Sequence, residues 1–467
     1  MRKSQLEKIE PNLWEIPKKA KDGMRVPARV YATESMLDAI LEDRSLDQLA
    51  NVATLPGIHR HALVMPDVHE GYGFPIGGVA AFDPEDGVIS PGGIGYDINC
   101  GVRMLRSPLT IEQIRPQLAQ LARALAKEIP SGVGRGGSVR LKGDDFDRIL
   151  ASGARRAVEI GFGTDEDLEK LEARGAMDGA DPSAVSQQAK DRGRDQLGTM
   201  GAGNHFVEVA RVETLFDAAA AARLDLVTDQ AVVLIHTGSR GLGHQIATDH
   251  VRIMTHAMAQ YGITIPDREL SCVPFRSPEG QRYFSAMAAG ANFAWANRQI
   301  ITAEVRRAWR TVLGPAGGEL SIVWDVAHNV AKLEQIERGG ARRSLLVHRK
   351  GATRSFPGEP VLIPGSMGTG SYLMIGGDRA LEETFGSCCH GAGRTMSRKR
   401  AKQDIDAGEL RARLRAAGIH VESGSAAGLV EEAPEAYKDV DQVVAVVHAA
   451  GIARKVARLR PVAVVKG

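Results

Sequence analysis

Two apolar patterns run along the chain, and they predict buried strands that end at histidines together with one long helix. Residues 230–235 form a short apolar run that leads into His236, and residues 320–324 form another that leads towards His328. Runs of this length, rich in β-branched residues, are typical of buried strands. Residues 281–309 are rich in alanine and predict a helix. The chain therefore brings two histidines to strand ends.

Further patterns predict a fold that mixes helices and strands. Between residues 65 and 103, short apolar runs alternate with glycines, as in strands joined by turns where the backbone approaches a ligand closely. The other predicted elements are helices over 110–129, despite Pro116 near the start, over 164–174 and around 440–447, and a last strand over 460–467.

No internal repeat and no low-complexity linker divides the sequence, so we expect a single large domain over residues 1–467. Neither a Walker A loop nor a dinucleotide-binding fingerprint occurs. The expected fold class is mixed α/β (α+β), with central mixed β-sheets surrounded by helices and without a Rossmann or P-loop core. Segments 131–195 and 394–420 are expected to be inserts in this domain.

The overall charge leaves the class of partner open. Among 467 residues, 59 are Lys or Arg and 57 are Asp or Glu, so the net charge of +2 neither requires nor excludes a polyanion. Basic runs occur at 394–402 and at 342–354. Each run is equally well explained as a solvated helix face or loop.

The cysteines and the N-terminal segment indicate a reducing compartment. Four cysteines in a chain of this length do not form a disulfide framework, and a bridge between the neighbours Cys388 and Cys389 would be strained. The first ten residues lack the apolar core of a signal peptide, and no stretch approaches a membrane span. We expect a cytoplasmic protein without a membrane partner.

Five residues form a candidate metal site. Asp97 and Cys100 share one glycine-rich segment, and His205, His236 and His328 each stand beside a glycine, serine or asparagine turn. A single histidine is more often a hydrogen-bonded core or loop residue than a ligand. Structural zinc normally uses CxxC pairs, which are absent here. A lone thiolate can bridge two metals, and paired metals clamp in-line phosphoryl displacements. The ligand types alone suit manganese, zinc, iron or cobalt.

A second group of residues is suited to a phosphate. His390 is followed by Gly-Ala-Gly-Arg394, so a phosphate can approach the imidazole, and neutral histidine is a competent nucleophile. From these residues alone, a glycine turn that exposes a histidine by accident explains the pattern better. Residues 363–371 form a glycine and serine loop suited to a base or ribose. No KxDG motif occurs, so the lysine-nucleotidylate route of ordinary nucleic-acid ligases has no candidate lysine.

Three short motifs resemble those of the calcineurin-like metallophosphoesterases, which is the main alternative. Their predicted ligands or donors are Asp67, His69, Asp144, Asn204 and His205, taken from the segments 67–69, 143–147 and 203–205. Phe206 stands where an acid is expected after the third motif, and the GHxH motif of that family is missing. This alternative also leaves Cys100 and His390 without a role.

Taken together, the motifs resemble those of the RtcB-type RNA ligases, which are tRNA-splicing ligases. The resemblance extends from the N-terminal third to Lys466. It rests on Met-Pro-Asp-Val-His-Glu-Gly-Tyr-Gly-Phe-Pro-Ile-Gly-Gly (65–78), Pro-Gly-Gly-Ile-Gly-Tyr-Asp-Ile-Asn-Cys-Gly-Val-Arg (91–103), Asn-His-Phe-Val-Glu (204–208), His-Thr-Gly-Ser-Arg-Gly (236–241), Ala-His-Asn (327–329), Pro-Gly-Ser-Met-Gly (364–368), His-Gly-Ala-Gly-Arg (390–394) and Val-Val-Lys-Gly (464–467).

The resemblance implies a role for each residue. Cys100 would bridge two Mn²⁺ ions, with Asp97 and His205 on one and His236 and His328 on the other, and His390 would be the guanylylated nucleophile. Arg240 would hold an RNA or nucleotide phosphate. The implied nucleotide-binding residues are Asn204, Phe206, Val207, Glu208, Asn329, Pro364, Gly365, Ser366, Met367, Ser371, Gly391, Ala392, Gly393, Tyr437 and Lys466.

The implied reaction joins an RNA 3′-phosphate or 2′,3′-cyclic phosphate to a 5′-hydroxyl, with GTP as co-substrate. It would run through a histidine-GMP and an RNA 3′-diphosphate-guanosine intermediate, in tRNA splicing or RNA repair. The implied partners are RNA, as tRNA halves or cleaved RNA ends, and archease as a helper, and the implied state is a monomer.

Overall fold

The computed structural model describes residues 1–132, 134, 136, 137, 139, 141 and 144–467. Gly143, the first residue of the phosphoesterase-like segment 143–147, lies outside the described residues. Helix accounts for 41% of the structure and strand for 27%, the strands forming several sheets. The predicted mixed α/β fold class is therefore confirmed.

The strands of the described residues are β1 (Glu7–Glu10), β2 (Leu13–Ile16), β3 (Ala28–Tyr31), β4 (Ala62–His69), β5 (Ile76–Phe82), β6 (Val88–Ile89), β7 (Gly101–Thr110), β8 (Phe206–Leu215), β9 (Gln230–Thr237), β10 (Val273–Pro274), β11 (Ser321–Ala327), β12 (Asn329–Arg338), β13 (Ala341–Lys350), β14 (Ala352–Arg354), β15 (Pro360–Ile363), β16 (Ser371–Gly376), β17 (Ser387–Cys389), β18 (His420–Ser423) and β19 (Ala453–Lys466).

The α-helices of the same residues are α1 (Glu34–Ile40), α2 (Ser45–Val52), α3 (Ile111–Ile114), α4 (Leu118–Glu128), α5 (Asp145–Ser152), α6 (Ala154–Glu159), α7 (Asp165–Leu168), α8 (Gln187–Arg194), α9 (Ala218–Arg223), α10 (Arg240–Ala257), α11 (Pro278–Leu313), α12 (Arg379–Thr384), α13 (Arg398–Asp404), α14 (Ala407–Ala416), α15 (Ala426–Glu431) and α16 (Val440–Ala449). Short 3₁₀ helices cover Lys3–Gln5, Lys18–Ala20, Pro91–Gly93, Arg115–Gln117, Glu172–Gly175, Pro182–Ala184, Met258–Tyr261, Arg268–Leu270, Pro315–Gly317 and Pro434–Ala436. None of these helices has the length and hydropathy needed to span a bilayer.

Two large sheets form the centre of the molecule. The first has the strand order β1-β2-β3-β4-β5-β13-β12 and is antiparallel except between β3 and β4. The second has the order β11-β7-β9-β8-β19-β16-β15 and is antiparallel throughout. Strand β18 adds to it in parallel along β19. Because β11 belongs to the second sheet and β12 to the first, His328 lies where the chain passes from one sheet to the other.

The register of the second sheet brings the ends of four strands together. His236 in β9 is opposite Val102 in β7 and Phe206 in β8, and Lys466 in β19 is also opposite Phe206. Gly101, the first residue of β7, is paired with the end of β11 on its other side. Residues that directly precede or end these strands therefore meet at one edge of the sheet.

Helix α11 has 36 residues and supports this edge from behind. The prediction of a helix over 281–309 is confirmed. Its side chains include the largest fully buried aromatic residues, Trp295 and Trp309. A helix that is apolar around much of its circumference lies inside a protein core, as α11 does.

Three predicted elements differ from the structure for physical reasons. Helix 110–129 is divided at Pro116 into α3, a 3₁₀ turn and α4, because proline donates no backbone hydrogen bond. Helix 164–174 is limited to α7, since the backbone is already extended at Leu171 (φ −105°, ψ 137°) and has positive φ angles of 53° and 52° at Ala173 and Arg174. The basic run 342–354 is not one surface patch, because His348 and Arg349 of β13 are fully buried. That 131–195 and 394–420 are inserts stays a prediction.

Candidate active site

Five side chains that the sequence singled out converge at the junction of the two sheets. His205 Nε2 lies 2.8 Å from Asp97 Oδ2 and 3.4 Å from Cys100 Sγ. His236 Nε2 lies 3.3 Å from the same sulfur and 3.3 Å from His328 Nε2. Three imidazole nitrogens and one carboxylate thus surround or adjoin a single thiol.

Three of these groups are almost fully buried, which sets their charge in the absence of a cation. Cys100, His236 and His328 are at most 3% exposed. Burial, reinforced by the Asp97 charge, holds the pKa of the Cys100 thiol well above its usual range. Burial likewise holds the pKa of His236 and His328 well below the usual value for histidine. Without a cation, Cys100 is therefore a neutral thiol, and His236 and His328 are neutral imidazoles.

The donor set fits a metal. Two groups, one of Asp97, Cys100 and His205 and one of Cys100, His236 and His328, each have donor atoms within 4.8 Å of one another. Both groups share Cys100. Neutral imidazoles are already in the ligand form, and a bound divalent cation favours the thiolate. The residues present therefore suit a cation, with the sulfur common to both ligand groups.

Backbone hydrogen bonds tie the ligand loops to one another. The Asn99 amide donates to the carbonyl of Asn329 at 2.7 Å, and the His328 amide donates to the carbonyl of Cys100 at 2.9 Å. The Asn329 side chain donates to the carbonyl of Asp97 at 3.1 Å. Asn329 therefore acts on the ligand loop, as well as lining the cavity described below.

Arg298 of α11 holds the same loops from behind. Its Nη1 donates to the carbonyls of Asn99 and Thr237 at 2.8 and 2.9 Å, which are neighbours of Cys100 and His236. Its charge is balanced by Asp325, which also accepts from Arg103 at 2.8 Å, and all three side chains are fully buried. A buried charge needs such pairing and hydrogen bonding. Asp325 thus supports the fold and is not among the metal-suited donors.

His390 is held by a carboxylate on the neighbouring sheet. Its Nδ1 donates to Asp67 Oδ2 at 2.6 Å, and its backbone amide donates to the same oxygen at 3.0 Å. Asp67 is fully buried in β4. With the proton fixed on Nδ1, Nε2 carries the free lone pair. The His390 ring centroid lies 5.0 Å from that of His328, so the histidine adjoins the metal-suited donors.

One cavity of about 740 Å³ joins these two centres. Its wall contains fifteen residues of the predicted nucleotide and metal sites together with His390. The fifteen are Asp97, Cys100, Asn204, Phe206, His236, His328, Asn329, Pro364, Gly365, Ser366, Gly391, Ala392, Gly393, Tyr437 and Lys466. The predicted residues outside the wall are His205, Val207, Glu208, Met367, Ser371 and Arg240.

Lys466 and Glu208 form a buried pair of titratable groups at the end of β19 and the start of β8. Lys466 Nζ donates to the carbonyl of Gly203 at 3.3 Å and lies 3.7 Å from Glu432 Oε2. Burial lowers the pKa of Lys466. Burial raises the pKa of Glu208 to about 8, although the Lys466 charge opposes that shift. Glu208 Oε1 is buried and has no hydrogen-bond partner among the described residues.

Arg240 has its charge next to the metal-suited donors but outside the cavity wall. Its Nε donates to Thr199 Oγ1 at 3.0 Å, and its Nη2 donates to the carbonyl of Gly132 at 3.3 Å. Burial lowers its pKa, and the charge of Asp97 opposes this. Its role towards a phosphate stays a prediction.

Sequence comparison identifies the family. The family model described as tRNA-splicing ligase RtcB matches residues 48–467. The chain belongs to the RtcB family. The recognition made from the motifs is therefore confirmed.

The relatives of this RtcB chain are similar over almost their full length. The tRNA-splicing ligase RtcB of Thermococcus kodakarensis is 54% identical, with 99% of each chain covered. That of Archaeoglobus fulgidus is 51% identical over the same shares. The RNA-splicing ligase RtcB of Mycobacterium tuberculosis is 50% identical, with 90% of this chain and all of the relative covered.

The geometry of this RtcB family member does not assemble the phosphoesterase site. Asp67 contacts His390, and His69 Nδ1 lies 3.0 Å from the carbonyl oxygen of Asp67 itself. Asp144 is exposed and pairs with Arg148 on the first turn of α5. Among the described residues, the metal-suited groups contain none of Asp67, His69 and Asp144.

Sequence reasoning missed several residues of the cavity. Asp67 was assigned only to the phosphoesterase alternative, although it holds His390 in the RtcB site. The motif 65–78, which contains Asp67, was the available signal. Other cavity residues without a predicted role are Tyr72, Tyr96, Lys350, Arg398 and Glu432.

Proposed function

We propose that this protein is a GTP- and Mn²⁺-dependent RNA ligase that joins 3′-phosphate or 2′,3′-cyclic phosphate ends to 5′-hydroxyl ends. The relatives named as tRNA-splicing and RNA-splicing ligases support the reaction class. The observation that carries the proposal is His390, fixed by Asp67 in a cavity that also contains Cys100, His236 and His328. A nucleophile beside a metal-suited centre is the arrangement that nucleotidyl transfer requires.

His390 acts as the nucleophile towards GTP. Its Nε2 attacks the α-phosphorus, a nitrogen–phosphorus bond forms, and the bond to the bridging oxygen breaks as pyrophosphate leaves. Asp67 accepts the hydrogen bond from Nδ1 and stabilises the positive charge that develops on the imidazole. The single hydrogen bond thus fixes both the tautomer and the direction of attack.

The guanylyl group then passes to RNA. A cyclic end is first opened by water to a 3′-phosphate. An oxygen of that phosphate attacks the histidine-bound phosphorus, and the bond to Nε2 breaks, so the RNA end carries a diphosphate linked to guanosine. The 5′-hydroxyl of the second strand attacks the RNA 3′-phosphorus and loses its proton, and GMP leaves. His390 returns to its neutral form.

The two donor groups support the proposal of two Mn²⁺ ions. Asp97, Cys100 and His205 would hold one ion, and Cys100, His236 and His328 the other. When bound, manganese supplies Lewis acidity that stabilises phosphate charge and orients the reacting oxygens. Cys100 belongs to both donor groups, so its thiolate would serve as a ligand in each.

The guanosine would bind on the side of the cavity formed by β8, β19 and the glycine loops. Glu208 and Lys466 are buried there, the loop 364–366 lines the wall, and the loop 391–393 would contribute backbone amides. The remaining assigned residues are Asn204, Phe206, Val207, Asn329, Met367, Ser371 and Tyr437, with Arg240 for a phosphate. The need for archease, a monomeric state and a cytoplasmic location stay predictions.

The proposal is tested with α-³²P-labelled GTP and Mn²⁺. We expect the protein to become labelled through a bond that acid breaks and base does not, which is the behaviour of a phosphoramidate. Labelled ATP should give no adduct. His390→Ala should give no adduct and should keep the metal content of the wild type. His256→Ala, an exposed histidine on α10, is the control and should label normally.

A second arm of the experiment follows the joining of RNA. Strands that end in a 3′-phosphate and a 5′-hydroxyl should be joined by the wild type with GTP, and not by His390→Ala. Labelled GMP trapped on His390→Ala would remove the nucleophile assignment. Release of phosphate from RNA without adduct or joined product would favour the phosphoesterase.

A further inference from the structure

An aromatic rim begins on a part of the cavity wall that the proposed guanosine site leaves unused. We define it as Tyr72 and Tyr96, which line the cavity, and His244, which adjoins Tyr96 outside the wall. The Tyr72 and Tyr96 ring centroids are 5.4 Å apart in an edge-on arrangement, and the ring of His244 on α10 stacks on Tyr96 at 4.8 Å and 27°. Three rings from three segments of the chain thus form one continuous aromatic surface.

The rings of this rim are accessible. Tyr72 and Tyr96 are only partly buried and line the cavity, and His244 is exposed. Aromatic side chains that serve the core are usually enclosed, as Tyr283 is in this molecule. The open ring surface is therefore available to a ligand inside the cavity.

The loop that carries Tyr72 is held in place from both sides. The Gln48 side chain donates to the carbonyl of Gly71 at 2.7 Å and accepts from its amide at 3.0 Å. The Gly73 amide donates to Glu269 Oε2 at 3.0 Å, and Lys350 Nζ donates to the carbonyl of Tyr72. A ring on a loop held in this way loses little entropy when a ligand stacks on it.

The Tyr96 side of the rim is equally fixed and adjoins the reacting groups. The Gly95 amide donates to the carbonyl of Pro91 at 2.9 Å in the 3₁₀ turn that precedes it. Asp97, the next residue, contacts His205 of the metal-suited centre. A ligand stacked on the rim would therefore share the cavity with Asp97 and Cys100 of that centre.

The charges near the rim favour an uncharged ring over a phosphate. Asp43 and Glu70 also lie on this wall, and Asp43 accepts from the Glu70 amide at 3.0 Å. The neighbouring cation, Lys350, donates to the backbone carbonyls of Tyr72 and Phe74. Carboxylates repel phosphate but do not oppose a neutral base. Aromatic side chains that stack on bases are the usual means of holding single-stranded nucleic acid without sequence preference.

We propose that the rim stacks on the nucleobase of the terminal nucleotide of an RNA strand and so presents that end to His390. This proposal rests on the proposed function, because it assigns part of the same cavity to the RNA. Stacking on a base without hydrogen bonds to its edges makes the site tolerant of sequence, so all four terminal bases should bind similarly.

The experiment measures RNA binding with a fluorescent base, so that it does not depend on ligation. One RNA carries 2-aminopurine at a 3′-phosphate end and another carries it at a 5′-hydroxyl end, because either terminal nucleotide offers the same chemistry. A third RNA places the base at an internal position. We expect one terminal probe to be quenched on binding and the internal probe to be unaffected, and the quenched probe identifies the end.

Two variants test the residues. Tyr96→Leu should bind the terminal probe about tenfold more weakly, with loss of the quenching, as expected for one stacked base. An RNA whose terminal nucleotide lacks its base should bind the wild type about tenfold more weakly than the intact RNA does. This abasic RNA should bind the wild type and Tyr96→Leu with equal affinity. Phe216→Leu is the matched control, because Phe216 also stacks on a tyrosine, Tyr372, outside the cavity wall.

The outcomes separate this inference from the proposed function. If the protein joins RNA but neither terminal probe is quenched, the stacking role of the rim is overturned and the proposed ligase function stands. The same conclusion follows if Tyr96→Leu loses as much affinity for the abasic RNA as for the intact RNA. Quenching that is lost in Tyr96→Leu, in a protein that joins no RNA, supports the rim and overturns the ligase. Absence of RNA binding overturns both.

Discussion

Asp67 and His390 are 323 positions apart in the sequence, and one oxygen of the Asp67 carboxylate accepts both the side-chain and the backbone N–H of His390. The carboxylate has no exposure to solvent and belongs to the first sheet, whereas Cys100 and His236 belong to the edge of the second sheet. The carboxylate that holds the nucleophile and the metal-suited donors are thus supplied by different sheets that meet at one cavity.

Replacing Asp67 by asparagine should slow guanylylation by between about 10² and 10⁴-fold. The amide can donate a hydrogen bond to His390 Nδ1, which favours the tautomer with its proton on Nε2 and removes the free lone pair from the attacking atom. The rate of label transfer from GTP measures this effect. The metal content should match that of the wild type, and an unchanged rate would show that Asp67 does not orient the nucleophile.

Replacing Cys100 by serine should weaken the binding of both metals together, because an alcohol remains protonated at neutral pH and bridges cations poorly. Elemental analysis after dialysis should show less than one Mn²⁺ per chain, against about two for the wild type. Cys272→Ser is the matched control, since Cys272 is also a buried free thiol but is not among the metal-suited donors. Loss of one ion alone from the Cys100 variant would contradict a bridging role.

The raised pKa of Glu208 predicts that the free energy of unfolding depends on pH, and it also determines the sign of that dependence. The folded state keeps the proton up to about pH 8, whereas the unfolded chain loses it near the ordinary value of 4.5. The unfolded state therefore binds fewer protons between these values, and the free energy of unfolding falls as the pH rises through this range, by at most about 1.4 kcal/mol per pH unit.

Denaturant unfolding of metal-free protein from pH 5 to pH 9 measures this slope. Glu208→Gln has no proton to lose at this position. As the pH rises to about 8, the free energy of unfolding of the variant should therefore increase relative to that of the wild type, and above about pH 8 the two curves should be parallel. The exposed Glu409→Gln serves as control and should follow the wild type throughout. Parallel curves for the wild type and Glu208→Gln would show that the carboxyl ionises normally in the folded chain.

Local patterns predicted the strands and the helix that carry the site. The apolar run before His236 became β9, and the alanine-rich segment became α11. The formation of this strand and this helix depends on residues that are near one another in the sequence, so a local pattern is enough to predict them. The glycine turns beside His205 and His390 likewise mark loops where side chains are free to converge. The structure places His390 in the cavity wall and His205 outside it, in contact with Cys100.

Contacts between distant segments could not be predicted from local pattern. Neither the hydrogen bond from His390 to Asp67 nor the stacking of His244 on Tyr96 has any local signature. The run 348–350 shows an error of another kind, because its sequence predicts a basic surface. In the structure, Arg349 is enclosed and pairs at 2.6 Å with Glu334 on the adjacent strand. Burial of paired charges depends on tertiary packing, which charge counts do not contain.

Helix α11 links the order of folding to the arrival of metal. Arg298 bonds the backbone beside Cys100 and beside His236, and Asn297 of the same helix accepts from the amides of Gly198 and Thr199, close to His205. A nascent chain in which this helix has not yet docked has its three ligand loops untethered. Such a chain has no preformed centre to capture a cation, so metal uptake should report native assembly and should not precede it.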